Sequence, residues 1–144
     1  MSGPDARPVA RDPALPESAH PVLVYDGACP FCLHFAELSL LRSGIPGLAI
    51  RDGRRDADLR RALRARGHDL ARGAVLLEGD RIHHGAAAIQ WICAQMEPTA
   101  PLLQVLAPLF AEPGRARRLY PLLLLARRLA LAVRGVPQDP DAAP

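Results

Sequence analysis

The sequence contains no lysine, only three cysteines and few aromatic residues, which make up 4% of its 144 residues. Three cysteines are too few for a secreted scaffold that depends on disulfide bonds. The longest uninterrupted apolar run is also far shorter than the ~20 residues that a membrane-spanning helix needs. These absences favour a soluble globular protein without disulfide staples, and the length fits one domain.

The two ends of the chain are rich in proline. Residues 1–20 contain four prolines and no apolar run, so they lack the hydrophobic segment of a secretory signal peptide. Residues 136–144 have the same character. We expect a disordered leader over 1–20, a disordered tail over 136–144 and a cytoplasmic location, in which free thiols stay reduced unless redox chemistry uses them.

The hydrophobic pattern predicts the element order strand, helix, strand, helix, strand, strand, helix. The segments that carry this order are PVLVY, a helix from Pro30 to SGIPG, LAIRD, a helix from about Asp56 to Arg66, GAVLLEGDRIHHG with its turn at Gly79-Asp80, and AAAIQWICAQM. A strand–helix–strand unit followed by a hairpin and a helix implies a mixed sheet with a right-handed crossover and helices on its faces. The prediction is an α/β, thioredoxin-like core over residues 21–98.

Residues 99–135 are apolar but interrupted, and they predict two helices packed on the core, with Pro121 near the start of the second. The expected buried stripe of that helix is Leu119, Leu122, Leu123, Ala126, Leu129, Ala130 and Val133. Six arginines and no acidic residue fall between Pro113 and Val136. These arginines either solvate an outer helix face or bind an anionic partner. No aromatic residues suited to base stacking are interleaved, which disfavours nucleic acid, and attachment to a membrane surface is the minority alternative.

Two of the three cysteines lie three residues apart, at Cys29 and Cys32, directly after the first predicted strand. Pro30 suits the first position of a helix, so Cys29 is expected as the N-cap, beside unpaired N–H groups and the positive end of the helix dipole. This position favours the Cys29 thiolate. Cys32 lies among apolar neighbours and should be less exposed and more thiol-like. We expect Cys29 to attack a substrate disulfide and Cys32 to resolve the mixed disulfide.

Asp26, three residues before Cys29, has two candidate roles. It can cap the turn by accepting backbone N–H groups, or it can accept the proton of Cys32, which would require a raised carboxyl pKa. Gly27 is expected to supply a backbone conformation that a side chain would hinder. His34, one turn into the helix, can tune Cys29 or simply be exposed.

A metal site and inert core cysteines are the alternatives to redox chemistry. Two cysteines can form half of a zinc site, with ligands from the histidines at 20, 34, 68, 83 and 84, but no second Cys-x-x-Cys or His-x₃₋₅-His occurs. Cys93 falls on the apolar face of its helix, which indicates core packing. No bound metal or cofactor is therefore expected.

The stretch YDGACPFC resembles the Asp-x-x-Cys-x-x-Cys signature of the DCC-type thiol-disulfide oxidoreductases. RIHHGAAAI, with Gly85 and Ala88, is similar to the start of the helix that follows the hairpin in that family. RLYPLLLLARRLA, with Tyr120, is similar to its arginine-rich C-terminal helix. The likeness covers residues 21–134.

The resemblance implies a thioredoxin-like fold and disulfide exchange through Cys29 and Cys32, with Asp26 as the third signature residue. It names no substrate. Thioredoxins carry a proline before the third strand, whereas this sequence has ARGAVLLE there, so Gly73 and Ala74 predict a more open site.

Together, these observations predict a thiol-disulfide oxidoreductase of the protein-disulfide reductase type. Its expected partners are a disulfide- or dithiol-containing substrate and a redox partner that the sequence does not identify. The alternative is a non-catalytic thioredoxin-like module that docks an anionic partner or membrane surface through its arginine-rich C-terminal helices.

Overall fold

The computed structural model describes Leu15, residues 20–137 and residues 139–141. These ranges contain four strands, five α-helices and one short 3-10 helix. In chain order they are β1 Val22–Tyr25, α1 Pro30–Arg42, β2 Ala49–Asp52, α2 Ala57–Ala65, the 3-10 helix Leu70–Arg72, β3 Val75–Glu78, β4 Arg81–His84, α3 Ala86–Gln95, α4 Pro101–Phe110 and α5 Pro113–Val133. The predicted order of strands and α-helices through α3 is confirmed, as is the α/β, thioredoxin-like fold.

The four strands form one mixed sheet in the order β2-β1-β3-β4. β1 pairs in parallel with β2, and β3 runs antiparallel to both β1 and β4. A parallel pair needs a crossover, which α1 supplies, whereas β3 and β4 are joined by the tight turn at Gly79-Asp80. The loop that follows β1 therefore starts from a central strand with neighbours on both sides.

The sheet is covered on both faces along β1, whose alternate side chains point to opposite sides and are all buried. Val22 and Val24 belong to a core formed with α2 and the 3-10 helix. Leu23 and Tyr25 belong to a second core, formed with α1 and α3. All four residues of β1 are buried, so the strand that leads to the cysteine pair is fixed in the interior.

The helices α4 and α5 form a third core with α3. The predicted start of the second C-terminal helix is wrong, since α5 begins at Pro113 and Pro121 lies inside it. The reason is Glu112, whose carboxylate accepts hydrogen bonds from the backbone N–H groups of Gly114 and Arg115, each at 2.8 Å. An acceptor at the N-cap and a proline at the first position are a strong start signal for a helix.

The expected buried stripe of α5 is also wrong. Leu122, Leu129 and Val133 are 60% exposed or more. The buried residues are instead Ala116, Tyr120, Arg127 and Leu131, which follow another face of the helix. Because α5 is apolar on several sides, its sequence pattern does not select the face that packs.

Described residues of the C-terminal tail contact α2. Arg60 donates to Asp141 at 2.8 Å, and Arg64 lies 3.0 Å from Asp139. The leader predicted over 1–20 falls outside the described residues except for Leu15 and His20. The two disordered ends and the boundary at residue 98 stay predictions. Among the described helices, none combines the length and the hydropathy that a membrane span requires.

Candidate active site

Cys29 lies at the N-terminus of α1, after the turn that follows β1. It is the N-cap residue, with φ −87° and ψ 116°, and Pro30 takes the first helical position. The Sγ of Cys29 accepts a hydrogen bond from the backbone N–H of Cys32 at 3.3 Å. The expected helix start and the N-cap position of Cys29 thus match the structure.

The two thiols of the pair differ strongly in acidity. A hydrogen bond from the Cys32 side chain, assisted by backbone N–H groups of Cys32 and Phe31, outweighs burial and lowers the pKa of Cys29 to about 6. The same hydrogen bond, then burial and the charge on Cys29, raise the pKa of Cys32. These shifts favour the thiolate at Cys29 and the protonated thiol at Cys32.

The exposure of the two cysteines is opposite to the prediction. Cys29 is 0% exposed, whereas Cys32 is partly exposed and borders a cavity. The apolar neighbour Phe31, which was expected to help bury Cys32, is itself 62% exposed.

Near Cys29, the Arg134 guanidinium donates to the carbonyl oxygen of Ala28 at 2.9 Å, so the end of α5 lies beside the cysteine loop.

Asp26 is buried beneath this loop and is surrounded by donors. Arg54 binds both carboxylate oxygens, at 2.6 and 2.9 Å, and Arg127 donates to one of them at 2.8 Å. The backbone N–H of Ala28 adds a fourth bond at 3.0 Å. Burial alone would raise the pKa of Asp26, but the hydrogen bonds from Arg54 and Ala28 and the charges of both arginines lower it. This environment fits the turn-capping role and opposes the proton-acceptor role, which needs a raised pKa.

Neither of the two arginines that bind Asp26 was predicted from the sequence. Arg54 follows β2, which pairs with β1. Arg127 belongs to α5 and lies 101 residues after Asp26 in the chain. Arg127 was expected on a solvated helix face or at an anionic partner, and both alternatives are wrong for this residue because it is buried against Asp26. No usable signal marked it, because α5 is apolar on several sides and its pattern does not single out the face that carries Ala116, Tyr120 and Arg127.

Gly27 is required for space and not for its backbone conformation, so that part of the prediction is wrong. Gly27 is not among the glycines with positive φ. A Cβ at this position would lie 1.9 Å from Oδ2 of Asp52, and the N–H of Gly27 donates to Oδ1 of the same residue at 3.0 Å. Asp52, at the end of β2, thereby holds the turn that carries Cys29.

Tyr120 of α5 packs against Gly73 and Ala74, where a more open site was expected, and all three residues line the same cavity. The Tyr120 hydroxyl accepts a hydrogen bond from the backbone N–H of Ala74 at 3.3 Å, and a Cβ at Gly73 would lie 2.1 Å from the same oxygen. Burial raises the pKa of Tyr120 to about 12, so it remains a neutral phenol. Helix α5 therefore supplies two buried polar residues to the site, Tyr120 and Arg127.

The remaining candidates lie outside this cluster or at its edge. Cys93 is buried in the core between α3, α4 and α5, and burial raises its pKa to about 12. His34 is exposed on α1. Within the described part of the chain, no three His, Cys, Asp or Glu residues come together as a metal site would require.

The chain matches the family of DCC1-like thiol-disulfide oxidoreductases over residues 23–132. The matched segment is well over half of the chain and contains Asp26, Cys29, Cys32, Tyr120 and Arg127. No curated protein and no solved structure gives a significant match. The chain belongs to the DCC1-like family, and a general thiol-disulfide oxidoreductase role follows from that membership.

Proposed function

We propose that this DCC1-like protein exchanges disulfides through Cys29 and Cys32, with Cys29 as the attacking sulfur. The observation that carries the proposal is the contrast in acidity within the pair. The pKa of Cys29 is lowered to about 6, beside a Cys32 thiol whose pKa is raised. A thiolate next to a protonated thiol is the arrangement that two-step disulfide exchange requires.

In the first step, Sγ of Cys29 attacks one sulfur of the substrate disulfide. A mixed disulfide forms, and the other substrate sulfur leaves as a thiolate that takes up a proton. Cys29 then no longer carries the charge that raises the pKa of Cys32. Cys32 loses its proton more easily and attacks Sγ of Cys29, which releases the second substrate thiolate. The substrate gains two electrons and two protons, and a cellular dithiol or small thiol restores the cysteine pair.

Access to Cys29 requires a local movement, because the residue is fully buried in the dithiol form. The contact from Arg134 to Ala28 holds the end of α5 beside the loop, so breaking this contact is one route by which a substrate reaches Cys29.

We assign Asp26 a positioning role. Its carboxylate fixes the turn through Ala28 and joins the loop to Arg54 and Arg127.

Reduction of insulin disulfides, with dithiothreitol as the reductant, tests the proposal and the protein-disulfide reductase type. Cys29→Ser should lower the rate to that of dithiothreitol alone. Cys32→Ser, reduced beforehand and freed of dithiothreitol, should accumulate a mixed disulfide between insulin and Cys29. Cys93→Ala should retain full activity, because Cys93 lies in a separate core. Full activity of Cys29→Ser would contradict the proposal.

The alternative, a docking module for anionic partners, has less support. Three of the six arginines on which this alternative depends bind groups of the chain itself: Arg115 binds Pro108, Arg127 binds Asp26 and Arg134 binds Ala28.

A cytoplasmic location is part of the proposal of disulfide exchange, and it rests on the small number of cysteines.

A further inference from the structure

A cavity of about 250 Å³ lies between α1, α4 and α5 and reaches Cys32, one of the two cysteines of the pair. Its walls are formed largely by apolar side chains, and Cys32 is part of the lining. The walls include Phe31 and Phe35 of α1, Leu102 and Leu106 of α4, and Leu123 of α5. A ligand in this space therefore meets apolar groups on three sides and a thiol at one wall.

The charged groups of the lining are not available to a ligand. They are Asp26 and Arg127, which bind each other at 2.8 Å, and Asp26 is further bound by Arg54. A charged ligand would lose its hydration on entering and, among the described lining residues, would meet only the paired charges of Asp26 and Arg127 and the imidazole of His34. An apolar ligand has no such hydration to lose, and moving its surface from water to an apolar wall is favourable.

The size of the cavity limits the ligand further. An apolar cavity of about 150 Å³ holds one benzene ring. The present cavity, at about 250 Å³, has room for one aromatic ring or branched alkyl group with a short linker. It is too small for a folded partner to insert more than a single side chain.

We propose that the substrate is a small uncharged disulfide, one apolar arm of which binds in this cavity so that its S–S bond lies beside Cys32, where Cys29 reaches it once the loop has moved. This inference rests on the proposed function, because the bound disulfide is the one that Cys29 attacks. The two electrons of the dithiol reduce the S–S bond, two uncharged thiols leave, and Cys29 and Cys32 become a disulfide.

The kinetic test uses the reduced protein in single turnover, so that no added reductant is needed. Dipyridyl disulfide is the neutral aromatic probe, and dithiobis(nitrobenzoate) is its dianionic counterpart. Each rate is divided by the rate of the same disulfide with mercaptoethanol, which corrects for the different leaving groups. The normalised rate should be higher for the neutral probe, and it should saturate with concentration as binding precedes exchange.

Two pairs of variants place the binding in the cavity. Leu123→Asn and Leu102→Asn alter lining residues, whereas Leu122→Asn and Leu109→Asn alter exposed residues of the same helices outside the lining. Because the four side chains are 39% to 61% exposed, each variant is expected to fold, and a thermal melt checks this. The lining variants should slow the neutral probe about tenfold and leave the dianionic probe within about twofold, since an amide in the wall removes apolar surface that the neutral probe would cover. The outer variants should change neither rate.

A binding measurement separates this inference from the proposed function. Dipyridylethane has the shape of the neutral probe but no S–S bond, and its binding to the Cys29→Ser protein can be followed by NMR shifts of α4 and α5. Binding that Leu123→Asn weakens supports the cavity whether or not exchange occurs. If exchange requires Cys29 but dipyridylethane does not bind, or if the dianionic probe is preferred, the inference is wrong while the proposed function stands.

Discussion

At the scale of single residues, the acidity of Cys29 depends first on its neighbour in the motif. The Cys32 side chain is the largest contributor to the lowered pKa of Cys29. In Cys32→Ala this donor is absent, so we expect the pKa of Cys29 to rise from about 6 toward the ordinary value of 9.0. The measurement is the rate of iodoacetamide alkylation as a function of pH. Cys32→Ser keeps a hydroxyl donor and should show a smaller rise, and an unchanged pKa in Cys32→Ala would refute this explanation.

Asp26 has opposite effects on stability and on the thiolate. In Asp26→Asn the buried Arg127 and the partly buried Arg54 lose their ionised acceptor, which should cost ~3–5 kcal/mol of unfolding free energy in urea titrations. The pKa of Cys29 should fall further, because the charge of Asp26 raises it while the two arginines remain. A higher pKa of Cys29 in this variant would contradict the charge arrangement.

The pH dependence of stability follows from the sign of the Asp26 shift. Its pKa is lowered below 3.8, so the stability that its ion pairs contribute is present above that value. This stability is lost as the pH falls through the lowered folded-state pKa. The Asp26→Asn variant should not lose stability in this way at low pH. The difference in unfolding free energy between the parent protein and the variant should therefore shrink as the pH falls below 3.8, the ordinary pKa of the carboxyl group.

The site residues that contact near neighbours in the chain were predictable from the sequence. Asp26, Cys29 and Cys32 lie within one turn and one helix start, and the capping position of Cys29 follows from Pro30 alone. Arg54 and Arg127 were missed because their partner is 28 and 101 residues away. A buried ion pair of this kind leaves no periodic signal in the sequence, apart from a charged residue on an apolar face.

At the scale of elements, α5 contains a proline in its interior. Pro121 lies inside the helix and is exposed. It cannot donate a backbone hydrogen bond, and its ring crowds the carbonyl of the preceding turn. Pro121→Ala should therefore raise the unfolding free energy by ~1–3 kcal/mol in urea titrations.

Pro113→Ala is the matched control for this prediction. Pro113 occupies the first turn of α5, where a missing N–H costs little. This variant should show no gain in stability. If Pro121→Ala proves less stable than the parent protein, the helix requires the proline for a kink or a contact, and the prediction fails.

The same element shows where sequence patterns stop being informative. The strand β1, the helix α1 and the hairpin from β3 to β4 were predicted because each has one clear apolar pattern and a turn residue at its end. Helix α5 has leucines on several sides, so more than one face satisfied the pattern. Contacts of Tyr120 with Ala74 and of Arg127 with Asp26 select the face that packs, and both partners lie far from α5 in sequence.

At the scale of the whole molecule, α5 returns to the first loop of the chain and completes the site. Its contacts reach Ala74, Asp26 and Ala28 through Tyr120, Arg127 and Arg134. We expect a protein truncated after residue 98 to lose cooperative unfolding, because α3 loses its packing partners and Asp26 loses Arg127. Circular dichroism during urea unfolding is the measurement.

A protein truncated after residue 137 serves as the control, because it keeps α5 and removes only the described tail contacts of Asp139 and Asp141. It should unfold cooperatively. If residues 1–98 alone unfold in one sharp transition with the pKa of Cys29 still about 6, then α5 is dispensable for the site.

The central claim is that Cys29, as a thiolate, begins disulfide exchange. The most direct test is the pH dependence of the single-turnover rate with oxidised glutathione, a soluble disulfide whose own chemistry is well defined. Because the thiolate fraction rises through the pKa of Cys29, the rate should reach half of its plateau near pH 6 and vanish in Cys29→Ser. A rate that keeps rising to about pH 9, the ordinary value for cysteine, or that survives in Cys29→Ser, would contradict the claim.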